Sequence, residues 1–295
     1  MRVLVIGASG YVGSRLVPAL LEAGHQVVAG ARTPDSLTEH SWADHVERRY
    51  IDMNDTVSVH LGVRGMDAVV YLVHSLASSD FVKRDREAAE YLAAACSYAE
   101  VERVVYLSGL VPDAELSDHL ASRLEVEQIL LAAPTPATVL RASMLVGPGS
   151  TSFEVLRRIA ERIPVAAVPC WMASTRIQPV ATTDVVSLLV SALEGPDRNR
   201  AYDVGGDDVV SYAELIDKFT AAAGLVRPYL PVLFAPKLLV GDVVALVSGL
   251  DRLTVKALVD SLVHDMVCRD HDVRDDLAPG FEPTSLDAAL ELSLA

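Results

Sequence analysis

The chain has little of what marks small extracellular or nucleic-acid-binding proteins. Cysteine occurs three times in 295 residues, at Cys96, Cys170 and Cys268, with no CxxC spacing and no histidine cluster beside them. That pattern excludes a disulfide framework, and no metal site is expected. A reducing cytoplasm is the expected location. Positive charge is also scarce. Against 40 Asp and Glu stand 25 Lys and Arg, a formal net charge of −15. Bulk charge therefore opposes nucleic acid and anionic membranes. Uninterrupted apolar runs of about 18 residues, the minimum for a spanning helix, are missing. The best candidate, residues 234–250, carries Lys237 and Asp242 and reads as a buried or interface helix. The amino-terminal apolar run ends at Gly7, too early for a secretory signal.

What is present is an ample core. Hydrophobic residues make up 51% of the chain, which excludes general disorder. The first half alternates two periodicities. The apolar run at 2–6 predicts a strand buried on both faces, 26–31, 68–73, 103–108 and 137–142 read as further strands, and 48–51 reads as a short third one. Helical spacing at 11–22, 56–61, 79–98 and 120–132 separates them. Strands joined by helices predict right-handed crossovers and a parallel sheet. Pro18 falls inside the first helix, where it removes a bond to the Ser14 carbonyl and predicts a kink without a break.

The second half is less regular. Helices are expected at 152–163, 183–193, 211–223, 236–248 and 251–267, and a strand at 200–204. The segment from Arg269 to Ala295 holds seven acids and two arginines. It reads as a frayed terminus or an irregular strap.

The sharpest motif is GASGYVG, residues 7–13, between the first strand and the first helix. Gly7 permits a tight turn, Gly10 lets backbone approach a pyrophosphate, and Gly13 allows close helix–sheet packing. The free amides at the helix N-terminus, those of Tyr11, Val12 and Gly13, would then bind phosphate oxygens, and Ser9 or Thr33 would help at an adenosine 2′-phosphate. The fold class is therefore α/β, a doubly wound Rossmann sheet with helices on both faces and a small C-terminal lobe. A soft boundary near 150 divides an NAD(P)-binding core, 1–150, from the remaining sheet elements and a mostly helical substrate lobe, 151–295.

The second strand ends in AGART without the acid that would hold an adenosine 2′-hydroxyl. Arg32 and Thr33 suit a 2′-phosphate instead, so NADP(H) is preferred and NAD(H) is the alternative. Asp52 and Met53 would reach the adenine, or Asp52 would serve only its turn. Leu72, Val73 and His74 end the fourth strand and would line the cofactor. Ser108 ends the fifth strand, where a catalytic hydroxyl belongs beside a nicotinamide. A tyrosine with a lysine four residues later would usually supply the proton. Here His119 and Arg123 hold that spacing on one helix face. Their readings are proton transfer, with Arg123 opposing the imidazolium, or a helix-start histidine and an Arg123–Glu127 pair.

The segments YLVHSL (71–76), DFVKRDREAAEYLAAAC (80–96), RVVYLSGL (103–110) and HLASRLEVEQIL (119–130) carry a family resemblance. So do GASGYVG with AGAR, LRASMLVGPGSTSFEVLRRI (140–159) and QPVATTDVVSLLVSAL (178–193). Together they resemble the atypical short-chain dehydrogenase/reductases, in particular the NmrA-like NAD(P)-binding group and a bacterial subgroup of oxidoreductases. The resemblance implies a seven-stranded Rossmann sheet and a small substrate lobe, with the cofactor motif on Gly7, Gly10, Gly13, Arg32 and Asp52. The family's tyrosine and lysine do not carry over.

An apolar pocket is expected from Ser143–Ser152, Cys170–Gln178 and Leu230–Leu239, bringing Met144, Phe153, Trp171, Met172, Tyr229, Leu233 and Phe234. Arg141 and Arg176 would recognise an anion there or pair at the surface. The expected function is an NADPH-dependent oxidoreductase of a small hydrophobic carbonyl, enone or quinone, acting as a monomer or homodimer. The alternative is a redox sensor that binds NADP(H) and a regulatory protein partner.

Overall fold

A computed structural model describes residues 1–74, 80–196, 199–233 and 235–294, without the side chains of residues 237 and 238. Along the chain lie β1 (Arg2–Ile6), α1 (Gly13–Glu22), β2 (Gln26–Ala31), β3 (Glu47–Tyr50) and α2 (Thr56–Gly62). There follow β4 (Ala68–Tyr71), α3 (Phe81–Tyr98), β5 (Arg103–Gly109), α4 (Asp118–Ala132) and β6 (Ala137–Ala142). The strand Arg200–Val204 completes a seven-stranded sheet in the order 200–204, β6, β5, β4, β1, β2, β3. All of its pairings are parallel. This is the Rossmann-like α/β fold, and its winding reverses between β1 and β4. Ligands of such sheets bind at the carboxyl ends of the strands beside that reversal.

The period-2 geometry of the strands, with both faces covered, explains why the inner ones are almost wholly apolar, whereas the edge strand β3, ERRY, is mostly exposed. Val3, Val5, Val27, Ala29, Val70 and Val105 pack on one face against α1 and the helix Thr182–Glu194. Leu4, Ile6, Val28, Val69, Tyr71 and Tyr106 pack on the other against α2, α3 and α4.

Pro18 lies within α1, which runs on to Glu22. The Ser14 carbonyl that loses its partner to Pro18 accepts a bond from Trp42 Nε1 at 3.0 Å. A tertiary donor thus replaces the missing helical one, and the break is avoided.

Three expectations need correction. Strand β4 stops at Tyr71, although Leu72 N still bonds the Ile6 carbonyl at 3.0 Å. The helix expected over 251–267 is Arg252–Ser261, because the chain then turns to seat Met266 beside Ile177. The acidic segment is neither frayed nor irregular. It forms helices Asp272–Leu277 and Leu286–Leu294, and Val273, Leu277, Leu286 and Leu290 are buried. Several of its acids are matched to partners. Asp272 pairs with Arg200 at 2.9 Å, Asp276 accepts from the Tyr202 hydroxyl at 3.0 Å, and Asp287 pairs with Lys218 at 2.6 Å.

A chain of buried charge joins these parts. Arg141 on β6 holds Glu127 of α4 in a two-pronged bond, with Nε on Oε2 at 2.9 Å. Its Nη1 lies 3.5 Å from Asp203, which Arg269 also grips at 3.1 Å. Glu127 and Asp203 are only 2% and 3% exposed. Arg141 is therefore committed to structure rather than to ligand recognition, and Arg176 pairs with Asp265.

Removing Arg141 strands a buried Glu127. Arg141→Met should cost about 3–5 kcal/mol, and adding Glu127→Gln should recover a good part of it. Urea denaturation of the single and double variants checks this. A double variant no more stable than Arg141→Met would contradict the assignment.

Candidate functional site

The turn after β1 is built for close approach. Gly7 has φ of +94°, a conformation that strains any L side chain. Gly10 N donates to the Gly7 carbonyl at 2.9 Å, closing the turn. A Cβ on Gly13 would collide with the Gly7 carbonyl and lie 2.9 Å from Ala8 Cα. The helix can start this near the strand only because Gly13 has no side chain. Its N-cap, Val12, supplies no side-chain acceptor, so the first-turn amides are uncapped by protein side chains. Ser9 and Gly10 are exposed beside them. This is a cradle for an anion such as a pyrophosphate.

The Tyr11 side chain has a different task. Its hydroxyl bonds Thr182 Oγ1 at 2.7 Å, and the Arg15 guanidinium sits over its ring at 4.1 Å. Arg15 also donates to the Pro148 carbonyl at 2.7 Å. Tyr11 thus fastens the Gly147–Gly149 segment to the glycine turn, leaving only its backbone for the cradle. That fastening escaped the sequence reading, although the GPG at 147–149 was a visible signal of close approach.

Arg32 and Thr33 are exposed just past β2. Asp52 Oδ1 accepts from Asn54 N at 3.0 Å, the turn chemistry weighed as its alternative. Met53 is buried in the core with Ile51. Leu72 and Val73 lie against Gly7, so the end of β4 meets the glycine turn. His74 is exposed past the end of β4.

At the end of β5, the Ser108 and Tyr106 hydroxyls are both buried on one strand face, outside close hydrogen-bond geometry with any other described residue. Burial raises the Tyr106 pKa, and Ser108 is near enough to act on it as a hydrogen-bond partner and lower it in part. Arg123 donates to the Leu107 carbonyl at 3.0 Å, and its guanidinium carbon lies 5.3 Å from the centre of the Tyr106 ring. It does not pair with Glu127, which Arg141 holds. Tyr106 was missed in the sequence, although period 2 along RVVYLS puts it on the face of Ser108.

His119 is the second residue of α4, after the N-cap Ser117. Burial, then the Arg123 charge, pushes its pKa down to about 4. It is therefore a neutral imidazole at pH 7. It lines one wall of an apolar cavity of about 590 Å³ that reaches Gly109 at the end of β5. Met144 and Met172 line the cavity as expected; Phe153, Trp171, Tyr229 and Leu233 do not, and Phe234 lies outside the described residues. Phe153 is wholly buried in a neighbouring cluster, and Trp171 donates to the Ala235 carbonyl at 2.9 Å. Nearly half of the lining comes instead from the helices Thr151–Arg162, Tyr212–Ala222, Lys237–Ser248 and Arg252–Ser261. No cluster suited to a metal ion and no helix long and apolar enough to cross a membrane occurs among the described residues.

A family model described as NAD(P)H-binding matches residues 7–160, and the chain belongs to that family. Its cofactor is accordingly NAD(P)(H). An uncharacterized protein of Mycobacterium tuberculosis is 29% identical over 79% of this chain. The chain spans only 24% of the length of that relative. A ceramide reductase of Caulobacter vibrioides is 25% identical over 66% of this chain and 61% of its own. Triphenylmethane reductase of Citrobacter sp., solved with NADP(H), has a TM-score of 0.79 at 17% identity. It covers 99% of this chain and 100% of its own, a likeness of fold.

The two later glycines of the turn should fail differently. Gly10→Val puts a branched side chain where the pyrophosphate would approach, its Cβ 3.1 Å from the Gly7 carbonyl oxygen, and should weaken NADPH binding at least about 100-fold with the fold retained. Gly13→Ala drives a Cβ into backbone and should cost stability, about 1–3 kcal/mol or more. Calorimetric titration with thermal melts separates them; unchanged NADPH affinity in Gly10→Val would refute the cradle.

His119 predicts a pH dependence. Its folded pKa near 4 lies below the ordinary 6.5, so the unfolded chain binds the proton first. Stability should fall as pH drops from 6.5 to 4 and lose nothing more from this group below that. His119→Gln should flatten part of that slope in denaturant titrations. An unchanged slope would mean His119 titrates normally.

Proposed function

We propose that the chain is an NADPH-dependent reductase of a hydrophobic carbonyl, enone or quinone. The observation that carries this reading is the apolar cavity ending at Gly109 and His119, beside the buried Ser108 hydroxyl. The cradle of Gly7, Ser9, Gly10 and the amides of Tyr11, Val12 and Gly13 would hold the pyrophosphate. Arg32 and Thr33 would take a 2′-phosphate, a fork-shaped donor being suited to it. Asp52, Met53, Leu72, Val73 and His74 would border the adenine and ribose. When bound, NADPH supplies a hydride from its nicotinamide.

The chain's own groups then orient and exclude. Ser108 would hydrogen-bond the substrate oxygen. Arg123, anchored on the Leu107 carbonyl, would keep positive charge near it. His119, neutral, would offer an N–H rather than an imidazolium proton. The lining excludes water from the reacting carbon. The three cysteines are free thiols, in keeping with a reducing cytoplasm as its location.

The second reading is an NADP(H)-binding redox sensor. The depressed proton affinity of His119 favours it, because the usual acid is then absent. Turnover discriminates. NADPH oxidation should proceed with enones or quinones, and kcat/KM should rise about threefold per added methylene until the cavity fills. Tight NADPH binding without turnover across such a series would overturn the reductase reading in favour of the sensor.

A further inference from the structure

One helix of the C-terminal lobe has apolar residues on both faces. In Lys237–Ser248, Val240, Val244 and Ala245 face inward on Val155, Trp171, Val255 and Val259. Leu239, Val243 and Leu246, spaced i, i+4 and i+7, share the outer face. They are 61%, 53% and 83% exposed. The preceding loop adds Leu233, 89% exposed. Over residues 229–250 the chain carries two charged residues, Lys237 and Asp242. Asp242 is engaged by Arg252 at 2.8 Å and by Lys256 at 3.0 Å. Scattered exposed leucines need no explanation, but a contiguous apolar helix face does; Asp242, three residues after Leu239 and four before Leu246, borders this one and is neutralised by Arg252 and Lys256.

The outer face is continuous with the cavity. Leu239 and Val243 are exposed and also line it. The opening therefore lies in the exposed apolar surface itself. A second copy seated on this face would cover the opening. A lipid surface would instead supply apolar molecules to it. The helix has 12 residues, enough to lie in a bilayer interface and too few to span one.

We infer that this face docks on a zwitterionic lipid surface and that the substrate is a carbonyl on a long alkyl chain, loaded from that surface into the cavity. The inference rests on the reductase reading for the fate of the substrate, while docking itself needs no turnover. Zwitterionic lipid fits the net charge of −15, which an anionic surface would repel.

The test is co-sedimentation of the protein with phosphatidylcholine vesicles. Binding should persist in high salt, since burial rather than charge drives it. Leu246→Glu and Leu233→Glu should each lower the partition coefficient roughly tenfold or more. Neither residue lines the cavity. Tyr98→Ser, at another exposed apolar residue, should leave binding unchanged. No vesicle binding, or equal loss in all three variants, would overturn docking and leave the reductase reading standing. So would self-association abolished by Leu246→Glu without vesicle binding, which would assign the face to a second copy. Vesicle binding with NADPH oxidation that favours short soluble carbonyls over long-chain ones would refute the loading route.

Discussion

A guanidinium enclosed by two carboxylates fixes how the halves of this chain meet. Arg141 stands on β6, Glu127 on α4 and Asp203 on the strand Arg200–Val204, with Arg269 closing the chain from the C-terminal segment. Burial alone would push the Asp203 carboxyl up. The bonds from Arg269 and the charges of Arg269 and Arg141 more than offset it and hold the carboxyl below its usual range. Such a network adds little net stability compared with an apolar core, but an alternative packing would strand one of its charges. It therefore acts on register. Helix α4 carries both His119 and Arg123, so its placement against β5 and β6 also sets Arg123 on the Leu107 carbonyl and His119 in the cavity wall with Gly109.

The sheet was legible because its residues serve two faces at once. Continuous runs such as RVLVI and AVVY admit few readings once helical spacing separates them. The glycine turn was legible for a related reason. Spacing alone predicts a close approach at Gly13, and the lack of room for a Cβ there is its physical counterpart. Pro18 conveyed only half of its story. The sequence shows the lost donor at Ser14 but cannot show that Trp42, 28 residues away, replaces it.

The cavity was harder to read. Met144 and Met172 were named, yet Phe153 and Trp171 turn into neighbouring clusters. An apolar residue on an amphipathic helix has a face but no address until its partner helix is known. The acidic segment shows the same limit from the other side. Its charges concealed the helical spacing of Val273 with Leu277 and of Leu286 with Leu290. Tyr106 was overlooked because a strand tyrosine usually reads as core; its buried hydroxyl near Ser108 is a tertiary fact.

The site's two ends differ in kind, and the difference bears on chemistry. In the proposed reading the pyrophosphate would rest on backbone shaped by glycines, with Arg32 as the charged group at the far end. The substrate end is apolar and drawn from several helices. Between them stand hydroxyls that burial makes reluctant to ionise: desolvation raises the Tyr106 pKa, with Arg123 only partly opposing it. His119 carries no proton to give as an imidazolium near pH 7. A site with that inventory is poorly suited to an isolated ketone, whose alkoxide needs its proton as it forms. It is better matched to an acceptor that spreads the incoming charge over conjugated atoms and takes its proton later from water. Under the proposed reductase reading, this lack of a ready proton donor would favour the enone or quinone over the simple carbonyl.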